Sequence, residues 1–368
     1  MLIELINTRN IRLDDIHIEA CIQNILCSFR EGKHIVIAEE SFLKEIAAKT
    51  SLGTRTCNTA QNILQKIRGL FLLKRSTTYY CKVDMSSSST GIIRDNPSEN
   101  CFVVGYRFFN DSAKTQLTKL LCEDINDYKI YKIIAEHFKF TQKIRGVNIN
   151  FEVLNGGGAS TKNNFEQIKT SERFCFCLLD TDKKHPKSKI GSTAGKFNAA
   201  SDSASCKHYT IGSHEVESLI PMGIIKEAIS QKRLDNSYLF AYDQLNALVE
   251  YSPEVKLYFD HKMGITVNEA KELDEKYHDE FWEKPFSNAP NFRKNKCIQK
   301  MSCECKNACL AIPGFSTRLL DVGADTLSMI GHAKLDELIP PTLKKEWDII
   351  GEKLFSWGCA TSQRAISS

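Results

Sequence analysis

The chain has 368 residues, of which 42% are hydrophobic, so it can bury a sizeable core and form two or three domains. Its net charge of +4 is mildly basic, which permits a nucleic-acid partner but does not demand one. Because no apolar run approaches the roughly 20 residues that span a bilayer, and residues 1–15 reach acidic side chains too early for a secretion signal, we exclude a membrane protein and expect a soluble, cytoplasmic one.

The sequence contains 14 cysteines, a high count that in a secreted protein would suggest disulfides. Most of them lie along apolar segments, in places that suit a small hydrophobic side chain. We therefore expect reduced, buried thiols in a reducing compartment. The residues concerned are Cys21, Cys27, Cys122, Cys175 and Cys177.

The N-terminal region shows mainly helical periodicity. Apolar residues recur at helical spacing over residues 13–30, 39–48 and 54–70, and residues 33–38 form a short strand candidate. Residues 71–82 could form a hairpin or a wing. Helices followed by a basic, aromatic wing would suit a winged-helix DNA reader, but a small helical packing domain is the simpler interpretation.

A change of composition marks the next boundary. Residues 84–100 are rich in Ser, Asn, Gly and Pro, which is typical of a linker, and residues 101–110 are dense in β-formers that we expect beside the central sheet. We therefore predict an N-terminal domain with its linker over 1–100, an α/β domain over 101–225 and a helical C-terminal domain over 226–368.

Strand and helix patterns alternate through the middle of the chain. Residues 118–123, 148–153 and 174–179 are predicted to be buried strands, and helical stretches follow at residues 127–138 and from residue 165. This alternation predicts an α/β fold with a right-handed, mostly parallel sheet flanked by helices.

Two of these strands end in carboxylates. Glu123 closes the first strand, with Asp127 soon after, and the third strand runs directly into Asp180 and Asp182. Because ligands bind at the carboxyl ends of parallel strands, we expect the four side chains to gather at one edge of the sheet. Crowded like charges need compensation, which a hard divalent cation such as Mg²⁺ supplies through oxygen ligands. The sequence therefore predicts a metal site.

In their order, these motifs resemble the Toprim domain of topoisomerases, primases and overcoming-lysogenization-defect nucleases. The resemblance covers roughly residues 115–225. The family usually has glycine directly after the first glutamate, where this chain has Asp124. The matching motifs are an acidic segment, a glycine turn and an Asp-x-Asp pair, namely Glu123 to Asp127, Gly156-Gly157-Gly158 and Asp180-Thr181-Asp182.

The resemblance extends to a later acidic segment. In the nuclease branch of the Toprim family, the segment after the Asp-x-Asp strand supplies another metal ligand, and here residues 214–221 contain Glu215 and Glu217. The resemblance points first to Glu217, which is nearer to Leu219 and Pro221, and second to Glu215. The alternative is a solvated helix start, because acidic residues favour a first turn on electrostatic grounds alone.

The resemblance implies a divalent-metal-dependent nuclease. Glu123, Asp180, Asp182 and Glu217 would hold Mg²⁺ or Mn²⁺ ions that activate a water and stabilise the leaving oxygen. Asp127 would orient a ligand water or the helix start, and the glycine turn would let substrate or backbone approach closely. The substrate would be DNA or RNA, including tRNA. Stand-alone Toprim nucleases of bacterial anti-phage systems suggest a defence effector.

Other roles and partners are left open at this point. A non-catalytic, Toprim-like protein could use the same acids to bind a nucleotide or a regulatory partner. The sequence contains no G-x-x-x-x-G-K-[ST] phosphate loop, so an ATPase sensor, if one is required for control, would be a separate protein. A homodimer is also left open.

A lysine-rich segment connects the third strand to the later acidic segment. Residues 183–213 show no clear periodicity and carry five lysines before residue 197. Lysines beside a carboxylate–metal cluster would bind a phosphate backbone, so Lys183, Lys184 and Lys187 are candidates for substrate binding. The alternative is a solvated, flexible loop.

The pattern from residue 222 onward is helical, with one polar trio that stands out. Asp260, His261 and Lys262 are residue types suited to acid–base chemistry. Nothing in their sequence context ties them to the carboxylates, so we expect them at the surface.

Four cysteines lie close together in a short polar stretch, where burial as small hydrophobes is less natural. Cys297, Cys303, Cys305 and Cys309 are of the type that binds tetrahedral Zn²⁺, although they lack paired C-x₂-C knuckles. The alternative is a set of reduced thiols in a helix or loop.

Overall fold

The N-terminal region of the computed structural model, which describes residues 1–292 and 295–362, is a sheet covered by helices. The strand order is β2-β1-β3-β5-β4, with β4 antiparallel to β5 and the other pairs parallel. These elements are β1 (Leu2–Ile6), α1 (Ile16–Arg30), β2 (Ile35–Ile37), α2 (Glu40–Ala48), α3 (Thr54–Leu73), β3 (Tyr80–Asp84), β4 (Ile92–Asn96) and β5 (Cys101–Gly105).

This sheet corrects part of the expectation for the N-terminal region. The three helices and the short strand β2 are confirmed, but the hairpin or wing over 71–82 is wrong, because α3 continues to Leu73 and the segment ends inside β3. The expected linker over 84–100 contains β4, whose mostly exposed residues carry little apolar signal. Strand β5 belongs to this sheet, although Phe102 also packs edge-on against Phe174, which lies directly before a strand of the second sheet. The predicted domain limits stay a prediction.

The second sheet is the parallel sheet that the sequence predicts. Its strand order is β10-β9-β6-β8, and all neighbours are parallel. One helix lies between β6 and β8 along the chain and another between β8 and β9, so the prediction of an α/β fold with a mostly parallel sheet is confirmed, while the specific Toprim arrangement stays a prediction. The elements of this region are β6 (Lys119–Cys122), α4 (Tyr128–Thr141), β7 (Val147–Ile149), β8 (Glu152–Asn155), α5 (Thr161–Thr170), β9 (Cys175–Leu179) and β10 (Cys206–Thr210).

Both faces of strand β9 are buried. Alternate residues of β9 enter different cores: Phe176 and Leu178 join the main core, whereas Cys175, Cys177 and Leu179 join a smaller one beneath α5. This explains why the strand is apolar on both faces. The thiols described are free, as expected, and of the five cysteines named above only Cys27 is partly exposed.

The chain order of the strands creates a switch point at the centre of the sheet. From β6 the chain moves to β8 on one side, and then crosses to β9 on the other side of β6. In α/β sheets, ligands bind in the crevice that opens at such a point, outside the carboxyl ends of the strands. Cys122 of β6 is paired in register with Leu178 of β9, so the residues that follow them emerge side by side.

The rest of the chain is mainly helical, as predicted. Strand β11 pairs antiparallel with β12, and β13 returns to pair antiparallel with β7. The elements are α6 (Met222–Ser230), α7 (Leu239–Tyr251), α8 (Val255–Tyr258), β11 (Gly264–Thr266), α9 (Val267–Tyr277), α10 (Glu283–Asn288), α11 (Lys296–Gln299), β12 (Leu310–Pro313), α12 (Leu319–Ser328), α13 (His332–Leu338), α14 (Pro341–Gly358) and β13 (Cys359–Thr361).

One hydrophobic core joins these regions. Helix α14 lies across α4, where a side chain at Gly351 would clash with Phe138 at 2.6 Å. The buried amino group of Met1 donates a hydrogen bond of 2.7 Å to the carbonyl oxygen of Cys359, so the first strand and the last strand are held together. Within the described ranges, no helix has the length and apolar character that crossing a membrane would need.

Candidate functional site

Glu123 and Asp180 occupy the switch point, because each directly follows one of its two strands. Glu123 is partly buried, and its Oε2 atom has no hydrogen-bond partner among the described residues. Burial raises the pKa of Glu123, and the nearby charge of Asp182 adds to the rise. Burial also raises the pKa of Asp180 well above its usual range. Both carboxyls are therefore costly to ionise without a nearby cation.

The other predicted acids share this electrostatic environment. Four further carboxylates raise the pKa of Asp180 in addition to burial, and they come from two separate segments: Asp127, Glu123, Glu217 and Glu215. We call the whole set the acidic centre: Glu123, Asp127, Asp180, Asp182, Glu215 and Glu217. The fold thus brings together residues that lie up to 94 positions apart in sequence, since 217 minus 123 is 94.

Asp127 lies at the start of α4. Its Oδ2 atom accepts the backbone N–H of Asp124 at 3.0 Å, and the Asp124 side chain in turn accepts the N–H of Asn126 at 2.8 Å. These two hydrogen bonds form a capping box, in which Asp124 adopts an ordinary extended conformation. Because this conformation is open to any residue, the turn after Glu123 does not require a glycine. Burial raises the pKa of Asp127 to about 7, and the charge of Glu217 adds to the rise.

Asp182 lies at the exposed rim of the acidic centre. Its backbone has a positive φ of 54°, and its N–H donates to the carbonyl oxygen of His214 at 2.9 Å. Gly191 lies so close that an added Cβ would be 2.1 Å from Asp182 Oδ2. The Asp-x-Asp segment is therefore fixed against the segment that carries Glu215.

Glu215 and Glu217 lie inside the protein, at 6% and 1% exposure, so the alternative of a solvated helix start is wrong. Glu215 Oε1 accepts the backbone N–H of His261 at 2.9 Å. Lys262 Nζ lies 3.0 Å from Glu215 Oε2 and 3.0 Å from Glu217 Oε1. Glu217 Oε2 has no partner among the described residues. One ammonium group thus bridges two buried carboxylates.

The polar trio at 260–262 belongs to the site, which corrects its expected surface position. His261 is fully buried, and Asp260 Oδ2 lies 3.1 Å from Lys184 Nζ. Although burial opposes its charge, the neighbouring Glu215 and Glu217 raise the pKa of Lys262. The sequence contains a signal for this position, because the trio lies between the apolar residue Phe259 and strand β11. Polar groups in such a buried stretch need partners, which indicates that they contact other charged groups.

The most compact group of acidic and imidazole ligands differs from the predicted one. Among the residues described, His214, Glu215 and Asp260 offer ligand atoms that all lie within 4.8 Å of one another. The predicted set around Glu123 and Asp180 forms no group that meets this distance. Such a wider set still suits Mg²⁺, which keeps several waters and usually binds only one or two carboxylates. The free Oε2 atoms of Glu123 and Glu217 are available for this role.

Comparison with known proteins does not identify a relative. No protein-family model, curated protein or solved structure matches the chain. The resemblance to the Toprim domain therefore stays a prediction from the motifs, and the function has to be argued from the side chains themselves.

The glycine turn has a structural explanation. The N–H of Gly156 donates to the carbonyl oxygen of Cys122 at 2.7 Å, and a side chain there would meet Thr161 Oγ1 at 2.4 Å. Gly157 and Gly158 both have positive φ, at 71° and 55°, which favours glycine. The close approach at Gly156 is therefore to the Cys122 backbone and the Thr161 side chain, and contact with a substrate stays a prediction.

The lysine-rich segment is not a featureless loop. It ends in strand β10, and His185 is fully buried against the ring of Tyr277, 4.8 Å away. Lys184 Nζ bonds Glu269 at 2.9 Å as well as Asp260. Lys187 Nζ lies 2.7 Å from Asp279 Oδ2. Two of the three predicted phosphate-binding lysines thus already have carboxylate partners.

The remaining lysine of the three, Lys183, has no carboxylate within 4.0 Å among the described residues. Its Nζ atom lies 3.5 Å from the carbonyl oxygen of Pro186. Lys183 therefore keeps its charge available, and it directly follows the exposed Asp182.

The four clustered cysteines converge as the zinc interpretation requires. Their sulfur atoms all lie within 4.8 Å of one another, and the Sγ atom of Cys297 is 3.9 Å from those of both Cys305 and Cys309. We call Cys297, Cys303, Cys305 and Cys309 the cysteine cluster. Its sulfurs form a group that can hold a metal ion.

Proposed function

We propose that this chain is a divalent-metal-dependent nuclease that hydrolyses phosphodiester bonds at the acidic centre. The observation that carries the proposal is the convergence of carboxylates at the switch point of a parallel sheet, where burial and four other carboxylates raise the pKa of Asp180. Groups with strongly perturbed pKa values at a ligand-binding position of the fold are typical of functional sites.

The charges support a cation as the missing component. Lys262 contacts Glu215 and Glu217, but neither Glu123 nor Asp180 has an ion pair among the described residues. A divalent ion would relieve their repulsion and allow both to ionise at neutral pH. Glu123, Asp180 and Glu217 would hold it, with Asp182 at the exposed rim. Bound there, the ion would activate a water and stabilise the leaving oxygen.

The side chains around the centre have supporting roles in this proposal. Asp127 fixes the turn after Glu123 through its bond to the Asp124 N–H. Lys262 holds Glu215 and Glu217 in place through its two ion pairs. Once a bound metal ion neutralises part of the charge of these carboxylates, the ammonium group of Lys262 would also interact with a phosphate oxygen. Lys183 lies next to Asp182 at the rim and would bind the phosphate backbone there.

The wider biological role rests on the Toprim resemblance. We propose DNA or RNA, including tRNA, as the substrate, and a cytoplasmic role as an anti-phage effector. A separate ATPase sensor would control it, and a homodimer is compatible with this role.

A second candidate is a non-catalytic protein that binds a nucleotide or a partner through the same edge. One observation favours it: the most compact acidic group, His214, Glu215 and Asp260, already has cations beside it in Lys184 and Lys262. Such a site needs no divalent ion for charge balance.

Cleavage by purified protein separates the two candidates. Labelled duplex DNA, single-stranded DNA and tRNA would be incubated with Mg²⁺ or Mn²⁺, and wild type compared with Asp180→Asn. Asp243→Asn is the matched control, because Asp243 is an exposed acid on α7. We expect cleavage by wild type and the control only. Full activity of Asp180→Asn would remove that residue from the proposal, and the absence of cleavage of all three substrates by wild type would support the second candidate.

A further inference from the structure

The spacing of the cysteine cluster fits a single tetrahedral ion. Zinc–sulfur bonds of about 2.3 Å in a tetrahedron place the sulfurs about 3.8 Å apart, and the two close Sγ–Sγ separations here are both 3.9 Å. The cysteines are free thiols, so no disulfide brings them together. An iron–sulfur cluster would place several irons between the thiolates and hold them further apart.

The backbone around the cluster is fixed by groups outside it. The side chain of Asn268, in the first turn of α9, donates from Nδ2 to the carbonyl oxygen of Cys303 at 3.0 Å and accepts the Cys303 N–H at 2.9 Å. The N–H of Cys309 points to the Sγ atom of Cys303 at 3.3 Å. Hydrogen bonds of this kind orient a ligating sulfur and stabilise its negative charge.

Packing alone does not explain why four thiols meet here. Cys305 is exposed, and only Cys303 of the four is buried. Between α11 and β12 the chain forms no helix or strand, so few backbone hydrogen bonds define its course. Reduced thiols at such a place would gain little from burial. Convergence of four sulfurs in an irregular segment is what a structural metal produces.

We propose that Cys297, Cys303, Cys305 and Cys309 bind one structural Zn²⁺ ion. Binding replaces the four thiol protons with the metal, and these protons pass to solvent, which leaves a centre with a net charge of two minus. Lys296, Lys300 and Lys306 belong to the same segment and compensate this charge in part. No open coordination position is left, so the ion has a structural and not a catalytic role.

The zinc also supports the acidic centre through the β11–β12 pair. Strand β12 begins directly after Cys309, and Ile312 pairs with Ile265 of β11, which starts two residues after Lys262. The N–H of Phe315 donates to the carbonyl oxygen of His261 at 2.7 Å. Loss of zinc should therefore loosen the segment that carries Lys262. This last consequence rests on the proposed nuclease function, whereas the zinc site does not.

Elemental analysis of the full-length protein tests the site. Protein purified without chelators should contain about one zinc per chain, as a four-cysteine structural site requires. Cys305→Ser, a change at the exposed ligand, should lose most of it. Cys57→Ser is the matched control, because Cys57 is a partly exposed cysteine on α3, outside the cluster, and it should keep the wild-type content.

Cobalt provides a second test that does not depend on the folding of a variant. Wild-type protein stripped of zinc and titrated with Co²⁺ should show the intense visible and sulfur-to-metal bands of tetrahedral thiolate coordination, and Zn²⁺ should abolish them. Wild-type protein with less than about a tenth of a zinc per chain and no such bands would overturn the proposal. Neither measurement involves cleavage, so a failed zinc site and a failed nuclease assignment would be told apart.

Discussion

The acidic centre and the cysteine cluster both attract metal ions, but they are built in different ways. The sulfurs converge within 4.8 Å and come from one short segment, residues 297–309. The carboxylates come from segments far apart in sequence and are more widely spaced, so that only the fold of the parallel sheet brings them together. A closed shell suits an ion that stays and holds the chain. A wider, oxygen-rich site leaves positions for water and substrate.

The two sites also differ in what stabilises them when no metal ion is bound. In the acidic centre, burial and the neighbouring carboxylates raise the pKa of Asp180, and Lys262 serves as an internal cation. The cysteine cluster lies in an irregular segment, which has little to define its shape without a metal ion. Removing the metal should therefore affect chemistry at the first site and stability at the second.

The largest expected effect is a difference between the variants of the two sites: variants of the acidic centre should lose activity, and a variant of the cysteine cluster should lose mainly stability. Asp180→Asn should reduce divalent-dependent cleavage more than a change in a residue that only hydrogen-bonds a metal ligand, which typically costs about 10- to 100-fold, because a ligand itself is lost. Its zinc content should not change, and its melting temperature without Mg²⁺ should hold steady or rise, since like-charge repulsion is relieved. Glu123→Gln should behave in the same way.

Cys305→Ser should show the opposite behaviour. We expect its melting temperature to fall by at least about 5 °C, because a structural zinc contributes folding free energy. Below the melting transition it should lose only part of the cleavage activity, because no carboxylate of the acidic centre is removed although the segment that carries Lys262 is loosened. The comparison between the sites would fail if both variants lost activity and stability to the same degree, as measured by calorimetry and cleavage on the same samples.

Asp127 should make the stability of the metal-free protein depend on pH. Its pKa is about 7 in the folded chain and 3.8 as an ordinary aspartate, so the folded state binds the proton more tightly. Its contribution is fully present below about pH 4 and is lost as the pH rises through 7, by up to about 4 kcal/mol. Asp127→Asn cannot ionise and keeps an oxygen for the Asp124 N–H.

Urea unfolding in EDTA at several pH values measures this effect. The variant should match wild type near pH 4, and its advantage should grow as the pH approaches 8. Asp243→Asn, an exposed change, should run parallel to wild type throughout. If Asp127→Asn also ran parallel, the acid would not be the buried, proton-holding group described above.

A smaller effect is expected from the internal cation. Lys262→Gln would leave buried Glu215 and Glu217 without their shared partner. Because the Lys262 side chain is 38% exposed, we expect a loss of about 2 kcal/mol in the free energy of unfolding, below the 3–5 typical of fully buried pairs. Mg²⁺ should restore part of it by taking the place of the ammonium charge.

The exposed pair of Lys129 with Asp321 provides the control. Lys129→Gln should lower the free energy of unfolding much less than Lys262→Gln does, since both partners are largely exposed, and Mg²⁺ should have no effect on it. Unfolding curves with and without Mg²⁺ decide the matter. If Mg²⁺ leaves Lys262→Gln unchanged, the acidic centre does not accept the ion.

Several parts of this molecule could be predicted from the sequence because their signal is local. The runs that are apolar on both strand faces before Glu123 and Asp180 predict parallel strands, and four cysteines within residues 297–309 are close enough in sequence to suggest one metal site. Strand β4 was missed because its exposed residues carry no apolar alternation. The role of Lys262 was missed for a different reason: its partners lie more than 40 residues away, and only tertiary packing makes them neighbours.

The smallest expected effect concerns phosphate binding beside the acidic centre. Lys183, Lys184 and Lys187 are close in sequence, but the structure separates them: Lys184 and Lys187 are ion-paired, whereas Lys183 is not. Lys183→Ala should therefore weaken nucleic-acid binding about equally across sequences. The slope of log affinity against log salt should become shallower by up to about 0.9 for duplex, or about 0.7 for single strands, if one phosphate contact is lost.

Fluorescence anisotropy with the Asp180→Asn protein allows binding to be measured without cleavage. In that background, Lys187→Ala is the matched control, because its ammonium group is already held by Asp279, 2.7 Å away, and its removal should leave the salt slope nearly unchanged. Lys184→Ala should lower stability more than affinity, since it releases Asp260 and Glu269 together. An unchanged slope for Lys183→Ala would mean that another surface holds the backbone, while equal changes for all three lysines would mean that their ion pairs open when the substrate binds.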